Sequence, residues 1–590
     1  MNTEGSGRGS GRHSNRAVFR QSGLTGIAAA AGVAAGLILD ISIAFTFGAG
    51  PKTDAFFVAS RIPLGLVAVV MVAANQALVP AFRTSSTKRG ERETDHLISM
   101  VLCTVVAVGI ALVLLSFLVA WPLMRATAPG IPNSEVDIAA SMVPIVFAMV
   151  PLVAVAEVLR AYLNARYAFV APALMTVVLN GLAAVLIIAG FILVGRHALP
   201  IQLVAYAFLA GAAAQAIFMW ITAVRHGLRF RPALDVHDEH LRSIGRLCLR
   251  PMGGAGLNPI ARIGEQLMVS FLPIGSITIL NYGYLVISAV GGTVFFRSVM
   301  VALIPRLTDA HNRGGRDAVR RFTGLGMQIM LAISLPLTAF MAVLARPAAI
   351  AVFERGRFTL GYAELLGTVL AVYAISLVGS AVQRAVLAPF FARLDTRTPL
   401  RNTIYGVVAN LVMLPIFVLP FGLHNPMAIV GVALAYSLAQ YVNVAHGWYR
   451  LAQDDGNPGH GLLSYTAKLL TASGITAGVM IAVAFALDLY GSTDHTHLLI
   501  FTPVAALTGF AVFAVAVILL NRGLHGGEIA GWRSVLRRAP SRGGPSVGAD
   551  PAPLNDSGTD GPSPDQGLID GVDVEESEDL ESTAITANLP

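Results

Sequence analysis

Charged side chains standing inside long apolar stretches are the residues of this 590-residue chain most able to do chemistry. Asp40, Arg61, Glu157, Arg160, Arg262, Glu265, Arg297, Arg384 and Asp488 lie within such stretches, and Asp54 lies at the start of one. A charge facing hydrocarbon costs roughly 3 kcal/mol or more, so these groups belong against a cavity or one another. Guanidinium pairs bidentately with phosphate, so Arg61, Arg262 and Arg297 in one cavity would suit a phosphorylated, lipid-linked substrate. A small cationic compound would favour acids and aromatics instead.

The acids suit a different partner. Arg262 and Glu265 are three residues apart and share a helix face. Read functionally, Arg262 meets an anion while Glu265 binds a coupling cation or proton; read structurally, the two neutralise each other. Asp40 could bind a cation, balance an arginine or bond to a neighbouring helix. Arg297 is eight residues before Pro305, about 12 Å by helix rise, too deep to reach the interface comfortably. Arg61 precedes Pro63, which can kink a helix and free a carbonyl toward a cavity. Arg160 and Arg384 are placed to snorkel toward lipid phosphate, and Asp488 sits at an interface.

Fourteen apolar stretches must position these groups: 24–47, 55–82, 97–124, 139–163, 168–194, 200–224, 249–272, 276–303, 323–345, 362–390, 400–423, 426–448, 465–489 and 496–520. A bilayer core takes about 20 residues of helix per crossing. Backbone groups in lipid must bond within their own segment, which selects helices, and the short alternation of a barrel is absent. The expected fold is therefore an all-α polytopic membrane protein. Residues 24–47 follow a basic Arg8/Arg12/Arg16/Arg20 leader but are too long for a signal-peptide core, so they read as crossing 1.

Loop charges orient the crossings. Bases collect in the N-terminal leader and at Arg83/Lys88/Arg89/Arg92, Arg225–Arg246, Arg306–Arg321, Arg393/Arg397/Arg401 and Arg522–Arg538. The alternate loops hold Lys52, Arg125, Arg196 and Arg346/Arg355/Arg357. The positive-inside rule then puts both termini in the cytoplasm of a cell membrane. Residues 541–590 hold eleven of the 34 acids and one base, leaving 40 bases against 23 acids elsewhere. That excess meets anionic lipid heads before nucleic acid. The acidic tail is too polar to build a core and reads as a solvated end or a docking segment for cell-envelope proteins. Cys103 and Cys248 imply no disulfide framework, and no phosphate-loop motif supports ATP hydrolysis. Asp494, His495 and His497 read as an outer loop and not a metal site, so neither an enzyme nor a bound cofactor is expected.

A duplication underlies the crossings. Gly50 and Pro80 are thirty residues apart, as are Gly275 and Pro305, in FGAGPKTDAFF…ALVPAFR and FLPIGSITIL…ALIPRLT. Arg160, Pro172 and Asn180 have an echo in Arg384, Pro399 and Asn410. Two pseudo-symmetric six-helix lobes plus two added helices would give this pattern, as in many transporters. The divisions are a leader 1–23, an N-lobe 24–224, a linker 225–248, a C-lobe 249–448, helices 13–14 at 465–520 and a tail 521–590.

Several of these segments are similar to the MviN/MurJ family of lipid II flippases, within the multidrug/oligosaccharidyl-lipid/polysaccharide exporter superfamily. FGAGPKTDAFFVASRIP (47–63) resembles its loop between helices 1 and 2, FERGRFT (353–359) its external loop before helix 10, and ARLDTRTP (392–399) its helix 10–11 connection. The resemblance covers the membrane portion. It implies alternating access between two lobes, a groove at helices 13 and 14 for a polyprenyl tail, and movement of a polyprenyl-pyrophosphate-linked saccharide to the outer leaflet. Sodium, protons or the membrane potential would drive it. It places Glu265 near a sodium site and sets Asp40, Asp54, Arg61 and Asp395 at matching positions, with Asp395 a further coupling-ion candidate.

The chain departs from the family in helix 1, where GVAAGLILD keeps Asp40 but has Val33 and Leu39 at the family's arginines. LGLVAVVMVAAN after Pro63 is neutral where the family is charged, and NYGYLVI lacks an Asp–Arg pair. Three functions therefore compete: a flippase for lipid II or a related glycan in peptidoglycan and cell-wall synthesis, a cation-coupled exporter of small amphipathic compounds, and a non-transporting scaffold. Fourteen crossings favour the first over a twelve-helix drug exporter.

Overall fold

The structure, a computed structural model, describes residues 10–195, 199–235, 237–292, 295–458 and 461–522. Seventeen α-helices and no strands occur among the described residues. The first seven are α1 (Ser10–Phe47), α2 (Pro51–Ala73), α3 (Val79–Arg89), α4 (Glu91–Thr127), α5 (Asn133–Ala165), α6 (Val170–Val194) and α7 (Gln202–Arg225). Next come α8 (Glu239–Val269), α9 (Ser276–Gly292), α10 (Phe295–Asp309), α11 (Gly315–Phe353), α12 (Leu360–Tyr373) and α13 (Ile375–Ala392). The last are α14 (Arg397–Val418), α15 (Ala428–Asp455), α16 (Leu462–Ala486) and α17 (His495–Arg522). The leader before Ser10 and the tail after Arg522 lie outside the described residues.

Twelve spans among the described residues are long and apolar enough to cross a membrane. The expected crossings 7 and 8 are built differently, for a physical reason. Crossing 7 falls on α8, which carries Asn258, Arg262, Glu265 and Gln266 and is too polar to stand alone in lipid. Crossing 8 is divided between α9 and α10, each shorter than a bilayer. Both pack within the bundle: α8 lies against α2 and α14, and α9 against α2 and α12. The count of about fourteen is compatible with this architecture.

The helices sort into two groups. α1, α2, α4, α5, α6 and α7 pack on one another, as do α9 to α15, with α16 and α17 packed on α11. α8 touches both groups. Crossing 10 is interrupted between α12 and α13, and its displaced carbonyls find partners on neighbours. Thr338 Oγ1 donates to Ala374 O at 3.1 Å, Ser437 Oγ to Val372 O at 3.1 Å and Tyr441 Oη to Ile375 O at 2.9 Å. Such breaks persist in an apolar medium only when protein groups take up the freed carbonyls.

The expected duplication recurs in backbone detail. α2 and α9 begin at Pro51 and Ser276, and their first turns close alike, Asp54 N–H to Gly50 O and Ile279 N–H to Gly275 O. The turns after α5 and α13 match as well. Ala168 N–H donates to Leu163 O and Asp395 N–H to Phe390 O, both at 2.9 Å, with Tyr167 and Leu394 left-handed at φ 62° and 61°. These are the same helix-ending bonds in each half. Arg393 in the second turn also ion-pairs with Asp455.

Asp395 caps α14. Its Oδ1 accepts from Arg397 N at 2.8 Å and Thr398 N at 3.3 Å. Burial works to raise its carboxyl, but the bonds from Thr398 and Arg397 and the Arg450 charge hold it below the ordinary carboxylate range. A depressed carboxyl contributes stability that is complete above the ordinary range and lost as pH falls through its own lowered value. Asp395→Ala is expected to cost about 1 kcal/mol at pH 7. Thermal unfolding in detergent should show that gap closing as the pH is taken below the carboxylate range.

Candidate functional site

α2 opens on Pro51, with Gly50 N–H bonded to Thr53 Oγ1 at 3.0 Å. That geometry turns Asp54 out of the first turn toward α9. Its carboxylate is buried and accepts from Gly275 N at 2.6 Å, Thr278 N at 2.8 Å and Thr278 Oγ1 at 2.6 Å. The first N–H groups of a helix have no partner within it and carry its positive dipole end. Asp54 therefore caps α9 from the opposite half of the molecule. The structure places this substrate-binding candidate where it bonds the two groups of helices to each other.

Other contacts surround this lock. Gly130 N–H donates to Ser270 Oγ at 3.0 Å, and Arg357 N–H to Phe45 O at 3.1 Å. Gly48, at φ +72°, and Gly356, at φ +64°, meet where a side chain on either would collide with the other strand of backbone. Below them Tyr282 is buried against Phe57, Phe353 and Phe358, with ring centroids 5.5, 5.4 and 6.0 Å away. The segments FGAG and FERG thus dock on each other. The bonds from Phe45, Asp54 and Gly130 to residues after 260 lie together at this one end. We refer to it as the sealed end.

Arg61 lies deeper on α2. Its Nε donates to Gln266 Oε1 at 2.9 Å and its Nη2 to Asn281 Oδ1 at 3.0 Å. Asn281 is fixed in turn by donating to Ile277 O at 2.7 Å. Amide oxygens hold the guanidinium in place without cancelling its charge. Arg61 therefore remains a net cation at the junction of the two halves.

Arg262 is different. Its Nη1 is 2.7 Å from Glu265 Oε2, and its guanidinium stacks on Tyr284, 3.1 Å from the ring centroid, with Tyr436 at 4.9 Å. Glu265 is buried and takes a second bond from Asn410 Nδ2 at 2.6 Å. The charge is balanced within one turn of helix and boxed by aromatic rings. These side chains line a cavity of about 280 Å³ formed by α8, α9, α13, α14 and α15.

The remaining candidates are dispersed. Asp40 is half-buried on α1 with no hydrogen-bond partner among the described residues. Arg297 lies on α10, and its side chain is outside the described residues. Asp395 stands in the turn before α14, away from the cavity. Glu157 and Arg160 pair with each other inside the first half. Arg384, expected to reach toward lipid, donates to Gly291 O at 2.8 Å and braces the end of α9. No cluster of His, Cys, Asp and Glu that could hold a metal occurs among the described residues.

A search for charges passes over Gln266, Asn281, Thr278, Gln440 and Asn443, which hold or surround the charged groups. Helical spacing is the signal that finds them. Asn258, Arg262 and Glu265 share one face of α8, Asn402, Gly406 and Asn410 one face of α14, and Tyr436, Gln440 and Asn443 one face of α15.

Comparison with known proteins follows the geometry. Residues 43–503 match the profile of a family described as lipid II flippase MurJ. A probable lipid II flippase MurJ of Vibrio cholerae is 25% identical over 421 residues, covering 70% of this chain and 78% of that protein. One from Rhizobium meliloti is 25% identical over 526 residues, covering 86% and 93%. Among solved structures, lipid II flippase MurJ in an inward closed conformation superposes with a TM-score of 0.70 at 20% identity, covering 85% of this chain and 99% of that one. An inward-facing multidrug resistance MATE family transporter gives 0.60 at 16% identity, covering 72% and 95%.

Removing the Asp54 carboxylate should loosen the sealed end. Ala128 is buried there. A cysteine at that position, with Cys103 and Cys248 replaced by serine, should react slowly with a bulky maleimide. Asp54→Ala should speed that reaction several-fold, and an unchanged rate would show that the carboxylate does not hold the halves together.

Proposed function

The chain belongs to the lipid II flippase MurJ family, and from that premise we propose that it carries a polyprenyl-pyrophosphate-linked cell-envelope saccharide across the bacterial cytoplasmic membrane. It acts as a transporter and not as a catalytic enzyme. The observation that supports alternating access is the set of bonds that join the halves at one end. The bonds at Asp54, Arg61, Gly130 and Arg357 gather at the sealed end. Two groups of helices so joined can part at that end and meet at the other, exposing the same interior first to one side and then to the other.

The loop charges orient this cycle. The sealed end carries Lys52, Arg125, Arg355 and Arg357, the sparse set, whereas the turns at Arg166 and Arg393 lie at the opposite, base-rich end. In our reading the sealed end faces outward, both termini face the cytoplasm, and the structure represents the state that accepts substrate from inside. Arg61 is the candidate for the pyrophosphate, because its charge is not cancelled by a carboxylate. Asp40 would sense a cation or the substrate's polar head. Glu265 is a coupling-ion candidate only if Arg262 swings away, since Arg262 now fills the role of its counter-ion.

Opening at the sealed end would break the bonds of a buried carboxylate, each worth about 1.5–3 kcal/mol when one partner is charged. The energy for that step would come from the membrane potential, a cation, or substrate binding more tightly to the other state.

Depletion of the chain followed by lipid extraction tests the reading. A polyprenyl-pyrophosphate saccharide should accumulate on the cytoplasmic side, and Arg61→Ala should fail to clear it while reaching normal membrane levels. Unchanged lipid pools on depletion would remove the flippase function.

A further inference from the structure

Two uncharged side chains decide what Arg61 can do. Gln266 Oε1 on α8 accepts from its Nε at 2.9 Å, and Asn281 Oδ1 on α9 accepts from its Nη2 at 3.0 Å. A carboxamide has an acceptor end and a donor end, and in both residues the donor end is also engaged. Asn281 Nδ2 donates to Ile277 O at 2.7 Å, and Gln266 Nε2 makes a longer bond to Thr127 O at 3.5 Å. Turning either amide over would set N–H against N–H at the guanidinium and carbonyl against carbonyl on the far side. Each oxygen is therefore kept on Arg61 by the bond at the other end of its amide.

The choice of amide matters because a carboxylate would fit the same space. Glu differs from Gln, and Asp from Asn, only by an oxygen in place of an NH2 group. Either acid would accept the same bond from Arg61, and more strongly, because both partners would be charged. The molecule uses that arrangement one residue earlier on the same helix, where Glu265 pairs with Arg262 at 2.7 Å. At Arg61 it does the opposite. The neighbouring acids are already engaged, Asp54 by Gly275 and Thr278, and Glu265 by Arg262 and Asn410. The amides occupy two of the five N–H donors of the guanidinium and leave the others for an incoming acceptor. Arg61 is half-buried, where a cation without a counter-ion is costly to keep. Neutral partners preserve that cost and, with it, the attraction for an anion.

We propose that Gln266 and Asn281 are the charge-selectivity residues of the site. They orient the Arg61 guanidinium as carboxylates would, and by staying neutral they reserve its charge for the diphosphate. They are positioning residues, acting on the substrate only through Arg61. The assignment rests on the reading of Arg61 as the pyrophosphate's partner and adds what keeps that partner available. Because Arg61 and its two amides belong to different halves, the oriented guanidinium exists only while those halves are in contact.

The test uses the full chain in lipid nanodiscs with two probes, undecaprenyl pyrophosphate and the uncharged undecaprenol. Wild type should prefer the pyrophosphate, and Arg61→Ala should remove the preference. Gln266→Glu and Asn281→Asp should each weaken pyrophosphate binding about tenfold, the scale of one charge-assisted bond, while undecaprenol binds as it does to wild type. Gln266→Met, which removes the bond but adds no charge, should weaken the pyrophosphate less than Gln266→Glu does. A purely structural role predicts the reverse order, since the acid keeps the bond and the thioether loses it. Full preference in both acid variants, an equal loss for both lipids, or a larger loss in Gln266→Met than in Gln266→Glu would overturn the assignment while leaving Arg61 as the pyrophosphate's partner. No preference in wild type, or an Arg61→Ala variant that keeps it, would remove that partner and the assignment together.

Discussion

A carboxylate taken out of water must be satisfied by donors, and Asp54 finds all of its partners on the other half of the molecule. That constraint organises what surrounds it. α9 needs an acceptor for its first N–H groups, and α2 supplies one from its own first turn. Neither element can meet its own requirement once the halves separate at this end. Burial of Asp54 removes competition from solvent and strengthens these bonds.

The deeper layers follow the same electrostatic logic with different outcomes. Arg61 is positioned by amides and keeps its charge, whereas Arg262 is cancelled by Glu265 and covered by tyrosines. One arginine is left able to meet an anion and the other is built into a wall. That difference is why Arg61, and not Arg262, is the arginine proposed above for the pyrophosphate. α8 carries the two in succession, Glu265 in the cavity wall and Gln266 in the contact between halves.

Much of the fold is legible in the chain because lipid leaves few options. Long apolar stretches give the twelve clear spans, and the Gly50/Gly275 and Pro172/Pro399 pairs reveal the duplication that the matching turns display. The two crossings that hydropathy describes least well, α8 and α9–α10, are those whose polar residues serve the site. The Arg262–Glu265 pair is visible from its spacing. The partners of Asp54 are not, since Gly275 lies 221 residues away and nothing local announces it. The neutral amides of α14 and α15 are hidden for another reason: an Asn inside a helix carries no charge to mark it, and only its recurrence on one face betrays a wall.

The central claim is that the Asp54 bonds hold the halves together at the sealed end and thereby set how far the opposite end is separated. The equivalent turns at Tyr167 and Leu394, both exposed, mark that opposite end, one in each half. Spin labels at these two positions, read by pulsed dipolar spectroscopy in nanodiscs, report the separation directly. With the Asp54 carboxylate present the distribution should be dominated by a long distance, and with Asp54→Ala a shorter population should grow at its expense. Identical distributions with and without the carboxylate would contradict the account.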